Sequence, residues 1–368
     1  MMKKVTRALT VPLVAAAILG GSGTALASAT STAHAGAARS ASAVKPTIVL
    51  VHGAFADSTS WSSEIAFLQS KGYPVVAVAN PLRGVASDSA YLLSVLQTIS
   101  GPIVLVGHSY AGFLVSEAAA ADPAVKALVY VAAYIPEKGE SPADLTYMFP
   151  GSELQGSNLV TRAEPGGTDI YINPADFASV YAGGLSRAQV AIASVVQRPI
   201  TAAALGEATT VDPPAATPKW EIVALHDNAI PTKAEFFMAS RAHANVVTVS
   251  SGHDVPAAAP QVVDSVILRA AQSAAELTRP GPPPREARRD ADRPAWTRRL
   301  RIPGRPRHDV LAARPRTGSV SPDDSPAPIA MSPSPGPARS RPNSSARLCR
   351  VITTICAGHS PSGPSSAR

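Results

Sequence analysis

The sequence predicts an α/β domain: a doubly wound, mainly parallel sheet with a helical cap inserted into it, spanning residues 45–277. Three observations predict it. Six short runs are almost wholly apolar and rich in β-branched residues, helix-period segments lie between most of them, and the alternation breaks once, for about 85 residues. The runs are Thr47 to Val51, Val75 to Ala79, Ile103 to Val106, Ala127 to Ala132, Ile222 to Leu225 and Val246 to Val249. Strands covered on both faces read as continuous apolar runs rather than as alternating ones, which is why parallel pairing is expected. The intervening helices are predicted at Trp61 to Ser70, Ser87 to Ile99, Tyr110 to Ala121, Thr232 to Ala242 and Gln261 to Leu277.

The break lies between Ile135 and Trp220, in a stretch rich in Pro, Gly, Tyr and Ala, and is read as a cap over about 136–218. It holds helix-like pieces around Pro174 to Tyr181 and Ser186 to Gln197. A cap that follows the strand ending near Tyr134 would cover the carboxyl edge of the sheet. His108, Tyr147, Met148, Phe149, Tyr171, Phe177 and Tyr181 are candidates to line a pocket beneath it.

Outside the domain the composition changes. Lys3, Lys4 and Arg7 precede an apolar run from Ala8 to about Gly20, and Ala25-Leu26-Ala27 and Ala27-Ser28-Ala29 follow as small-residue cleavage sites. Residues 1–29 therefore read as a secretory signal peptide, and 30–44 as an Ala/Ser-rich disordered spacer, so the protein is expected outside the cell. The apolar run is shorter than the ~20 residues that span a bilayer, so no stable membrane insertion is expected. From Arg279 onward 17 arginines stand against 6 acidic residues, with no lysine and 17 of the chain's 35 prolines. Residues 278–368 are thus read as a disordered tail that cannot bury a core. Its +11 exceeds the chain's net +7, which leaves −4 on the rest and gives no ground for expecting the folded domain to bind nucleic acid. Three accounts of the tail stay open: a solvated extension, a polyanion- or cell-wall-binding arm, and an out-of-frame extension past a lost stop codon. Both cysteines, Cys349 and Cys356, lie in it, so the domain is expected to fold without disulfides.

The chemistry is carried by Gly107-His108-Ser109-Tyr110-Ala111-Gly112, where an apolar strand ends in a serine among small residues and a helix follows. That is the pattern of a nucleophile elbow, with Ser109 standing clear of the sheet on a tight turn. A serine hydroxyl is protonated at neutral pH and needs a base and an orienting acid. Asp227, just past the strand ending at Leu225, is the candidate acid, and His253, in the loop after the strand ending at Val249, the candidate base. Backbone N–H groups of Tyr110 and, in the turn after the first strand, of Ala54 or Phe55 are candidates for an oxyanion hole. No metal or other cofactor is expected.

Through Val51-His52-Gly53-Ala54, Gly107-His108-Ser109-Tyr110, Asp227-Asn228-Ala229-Ile230-Pro231 and Gly252-His253, the segment from Lys45 to Ala275 resembles the α/β-hydrolase family, in its small esterase and hydroxynitrile-lyase-like branch. The resemblance implies the α/β-hydrolase fold and a triad of Ser109, His253 and Asp227, and it favours the Ala54 N–H as oxyanion donor with Phe55 as the fallback. Two positions depart from the family pattern: Ala111, where glycine is usual, and Asp254 after His253, a second carboxylate that could orient the imidazole. The expected function is a secreted serine hydrolase that cleaves small carboxylic esters through an acyl-enzyme. The alternatives are hydroxynitrile-lyase-like chemistry, with Lys138 or Lys233 as the added lysine, cofactor-free haloperoxidase-like chemistry, and an inactive binding scaffold. Oligomeric state is not encoded in any pattern here.

Overall fold

A computed structural model describes residues 44–278. The signal peptide, nearly all of the spacer, and the tail from 279 with both cysteines lie outside the described residues. In chain order the first half runs β1 (Thr47–Val51), α1 (Ser62–Ser70), β2 (Val75–Val78), α2 (Val85–Leu96), β3 (Ile103–His108), α3 (Ala111–Ala121) and β4 (Val125–Val131). The cap follows as α4 (Pro142–Thr146), β5 (Leu159–Glu164), β6 (Gly167–Ile172), α5 (Phe177–Val180), α6 (Arg187–Val196), β7 (Ile200–Thr201) and α7 (Ala202–Gly206). The chain then returns through β8 (Lys219–Ala224), α8 (Thr232–Arg241), β9 (Asn245–Val249), α9 (Val255–Ala258) and α10 (Pro260–Leu277).

The six predicted strands form one sheet in the order β2-β1-β3-β4-β8-β9, every pair parallel. Their apolar runs separate by parity once both faces are covered. Ile48, Leu50, Val104 and Val106 pack on one face with Trp61, Leu68 and the α10 stripe Val263, Val266, Ile267, Ala270, Ala271 and Ala274. Val49, Val51, Ile103 and Leu105 pack on the other with side chains of α2, α3 and α8. The α10 spacing of three and four residues is what puts that whole stripe on one side of a helix. The chain leaves β1 toward β2 and then crosses back to β3, so the strand order reverses between β1 and β3. In open parallel sheets, the crevice past the strand ends at such a reversal is where ligands bind. Gly53 and Ser109 follow the two strands that flank it.

The cap holds the two expected helical pieces, now α5 and α6, the latter opened by a capping box of Ser186 and Gln189. It differs from a purely helical cap in carrying a three-stranded antiparallel sheet, β5-β6-β7. The β5–β6 hairpin turns tightly through Pro165 and Gly166, with Glu164 opposite Gly167. Among the described residues no helix is long and apolar enough to cross a membrane.

Candidate active site

Ser109 follows directly on β3 and takes a left-handed φ of 54°, rare for a residue with a side chain. Such a conformation costs about 1–3 kcal/mol and persists only when its surroundings hold it. Here the Ser109 N–H donates to the Val131 carbonyl at 3.2 Å, and its carbonyl accepts from Gly112 at 2.9 Å and Tyr134 at 3.3 Å. Two glycines are needed for the fit. A Cβ on Gly53 would stand 2.7 Å from the Ser109 Cβ, and one on Gly112 would stand 1.9 Å from the Tyr134 carbonyl oxygen. Ala111, the departure from the family pattern, is fully buried inside the elbow.

The turn places the Ser109 Oγ 2.7 Å from His253 Nε2, and His253 Nδ1 lies 2.6 Å from Asp227 Oδ2. All three residues are buried. The other carboxylate oxygen of Asp227 accepts from the backbone N–H groups of Ala229 at 2.7 Å and Ile230 at 2.8 Å, which fixes the carboxylate toward the ring. Asp227, not Asp254, therefore meets His253. The Asp254 backbone N–H donates to the Tyr181 carbonyl at 3.0 Å. Burial pushes its carboxyl up to about 6, partly countered by His253. Such a serine–imidazole–carboxylate chain can move a proton from the hydroxyl to the ring as the oxygen attacks.

Of the candidate oxyanion donors, the Tyr110 and Ala54 N–H groups find no backbone acceptor among the described residues. The fallback, Phe55, is excluded: its N–H is spent on the Arg198 carbonyl of the cap, at 3.0 Å. That bond joins residues 143 positions apart, so no local pattern could have announced it. The Tyr110 side chain turns away from the site, its hydroxyl donating to Asp88 Oδ2 at 3.0 Å.

Four histidines surround or neighbour these groups without sharing their chemistry. Burial pushes His52 down to about 4; the neutral ring donates from Nδ1 to the Gly53 carbonyl and accepts the Asn80 N–H on Nε2. It shapes the turn after β1. Burial likewise holds His108 well below its ordinary value, and its Nε2 donates to the His253 carbonyl at 3.0 Å. His108 was expected in the pocket wall; it instead anchors the main chain of His253, with the two rings 4.9 Å apart. His226 and His243 lie outside the triad, the former paired with Ser250.

A half-open cavity of about 260 Å³ lies beside the site, between the turn after β1 and helix α6. Its apolar wall comes from Phe55, Phe177, Tyr181, Leu185, Ile192 and Val196, with Asp57, Gln189 and Asp254 as its more polar members. Of the expected pocket residues Phe177 and Tyr181 line it, and His108, Tyr147, Met148, Phe149 and Tyr171 do not. Tyr181 also packs its ring 5.0 Å from that of His253 and donates its hydroxyl to the Ala54 carbonyl at 3.3 Å, so it joins the cavity to the triad. Tyr147 donates to the Leu154 carbonyl at 2.6 Å inside the cap, and Phe149 stacks edge-on against Phe237. Lys138 and Lys233 are exposed, and neither lines the cavity. The described residues contain no group of acidic, histidine or cysteine side chains arranged to hold a metal ion.

A parallel sheet whose reversal point carries a serine, an imidazole and a carboxylate in one hydrogen-bonded line defines a class of enzyme architecture rather than a substrate. Within that class, the chain belongs to the alpha/beta hydrolase family, whose pattern it matches over residues 48–266. A curated relative, "Probable hydrolase R7" of Phoma sp., is 32% identical over 115 residues, an alignment covering 27% of this chain and 47% of the relative. The chain thus spans about half the length of that relative. Among solved structures it is similar to a methylesterase from Arabidopsis (TM-score 0.52, 19% identity, 62% of this chain and 99% of the other). It is similar to polyneuridine aldehyde esterase (0.54, 20%, 61% and 99%). A third is an extracellular alpha/beta-hydrolase from a Paenibacillus species (0.51, 19%, 61% and 98%). At these identities the likeness is one of fold.

Proposed function

We propose that this chain is a secreted serine esterase that cleaves small carboxylic esters through an acyl-enzyme. The observation that carries the reading is the continuous line from the Ser109 Oγ through His253 to Asp227, at 2.7 and 2.6 Å. His253 takes the hydroxyl proton as Ser109 attacks the ester carbonyl, and Asp227 stabilises the imidazolium. The tetrahedral oxyanion is received by the N–H groups of Ala54 and Tyr110. His253 then gives the proton to the leaving alcohol, and water, activated by the same ring, releases the acid and restores Ser109. A cavity of about 260 Å³ with an apolar wall suits a short acyl or aryl group. The esterases among the similar structures agree with this chemistry, and the basic-apolar-small pattern of residues 1–29 supports export.

The test is hydrolysis of a p-nitrophenyl ester series beside Ser109→Ala and His253→Ala, with fluorophosphonate labelling as the second readout. Short esters are expected to turn over, with both activity and labelling lost in Ser109→Ala. A folded wild-type protein that neither hydrolyses nor labels would refute the proposal.

A further inference from the structure

The cavity beneath α6 carries groups that the proposed ester chemistry does not use. Its wall includes Phe55, the residue after the oxyanion candidate Ala54, and Asp254, the residue after His253. Asp254 and Asp57 are the charged members of that wall, and no lysine, arginine or histidine lines it. Asp254 is only 6% exposed. It stands at the start of α9, yet its side chain caps nothing there, and its Oδ1 has no hydrogen-bond partner. A buried carboxylate left without donors is costly, and a ligand that brings a donor recovers that cost.

The rest of the wall supplies no such donor. Asp57 spends Oδ1 on the Thr59 N–H at 2.7 Å and the Thr59 hydroxyl at 2.5 Å, while Oδ2 receives no hydrogen bond among the described residues. The Ser60 hydroxyl is spent on the Asp57 carbonyl at 2.8 Å, and that of Tyr181 on the Ala54 carbonyl. Gln189 accepts from the Ser186 N–H and hydroxyl on Oε1 and keeps its amide N–H groups free, at the exposed rim. The inner wall thus offers acceptors and negative charge without a counter-ion. The mouth, by contrast, is apolar: Ile192 and Val196 line the cavity and are 65% and 51% exposed. Large aliphatic side chains grouped in the open at a cavity mouth mark a binding surface. A metal ion suits neither part, since no third ligand is arranged with the two carboxylates and an apolar wall cannot replace its water shell. An ammonium group on an apolar body suits both.

We propose that this cavity binds a protonated amine with an apolar body, its ammonium group meeting the carboxylates of Asp254 and Asp57 and its body lying against Phe55, Tyr181, Ile192 and Val196. The site goes beyond the ester chemistry. Binding needs neither the Ser109 hydroxyl nor proton transfer by His253, so it stands whether or not the chain cleaves esters.

The experiment titrates the full-length protein with benzylammonium, benzyl alcohol and benzoate by calorimetry, and follows the methyl resonances of Ile192 and Val196 by NMR to locate the ligand. At about pH 8 the amine is protonated, and Asp254, pushed up by burial to about 6, is ionised. Benzylammonium is expected to bind saturably and to shift both sets of methyls, with the alcohol and benzoate weaker by about tenfold or more. Asp254→Asn is expected to weaken benzylammonium by about tenfold or more and to leave the alcohol unchanged. Asp57→Asn keeps the cap on the turn Ser58–Trp61, since asparagine caps as well as aspartate, and is expected to weaken the amine by about two- to fivefold. Alcohol or benzoate binding as tight as the amine, an unchanged amine affinity in Asp254→Asn, or no saturable amine binding would overturn the proposal. If Asp254→Asn does not fold, Asp57→Asn decides, and an unchanged amine affinity there refutes it.

Discussion

His253 has buried carboxyl groups on two sides, and they are treated very differently. In the loop after β8, Asp227 receives two backbone N–H groups and the imidazole. Toward α1 and α10, Asp254, Asp264 and Glu64 are buried with carboxyl oxygens that no donor reaches: one each on Asp254 and Asp264, and both on Glu64. Burial pushes Glu64 up to about 8, with further upward pressure from Asp264 and Asp254. Burial alone therefore does not make a working anion. Aimed donors make a carboxylate ready to hold charge, and their absence makes its neighbour a store for a proton.

The largest test of that contrast is functional. Asp227→Asn is expected to lower kcat on a short ester by about four orders of magnitude, because the amide reverses the hydrogen bond to Nδ1 and traps the wrong ring tautomer. Asp254→Asn, beside the same histidine, is expected to stay within about tenfold of wild type. Equal losses in steady-state kinetics would erase the distinction between the two sides.

The next test concerns stability on the donor-poor side. Glu64 is neutral in the fold up to about pH 8, whereas in the unfolded chain it ionises near its ordinary 4.5. Its contribution is thus fully present below about 4.5 and is lost as pH rises toward about 8. Glu64→Gln, which does not titrate, is expected to gain on the order of 2–4 kcal/mol over wild type between pH 5 and 8. Urea unfolding at the two pH values measures this, and a gap that does not change with pH would contradict it.

Smaller effects sharpen the picture between the two sides. Tyr181→Phe removes the hydroxyl held by Ala54 and is expected to cost about 1 kcal/mol in thermal unfolding, with its ring still packed on His253. Ala111→Gly, which restores the residue usual in the family, is expected to cost about 1 kcal/mol or less and to leave kcat within about twofold. A large loss of either quantity would mean that the Ala111 methyl shapes the elbow.

The sheet and the chain order of Ser109, Asp227 and His253 were legible because both are written in local patterns. Strands covered on two faces show as apolar runs, and an elbow, an acid loop and a histidine loop each follow such a run. The cap sheet was less legible although its signal was present. Leu159-Val160-Thr161 and Thr168-Asp169-Ile170-Tyr171-Ile172 flank Pro165-Gly166, a strand–turn–strand pattern hidden in a stretch whose prolines and glycines suggested irregular chain. The burial of Glu235 had no sequence signal, since it arises only when the first turn of α8 folds back onto the end of β8, where Glu235 accepts the Ala224 N–H. The same holds for His108, whose grip on the His253 carbonyl joins residues 145 positions apart.

The cap is stitched to the parts it covers. Arg198 holds the Phe55 N–H, Tyr181 bonds the Ala54 carbonyl, and the carbonyls of Gly183 and Tyr181 receive the N–H groups of Gly252 and Asp254 on either side of His253. A swinging lid would have to break all four of these hydrogen bonds each time it opened. The cap therefore helps to hold the loop of His253 and the turn after β1 where they are, and cutting it away would loosen both.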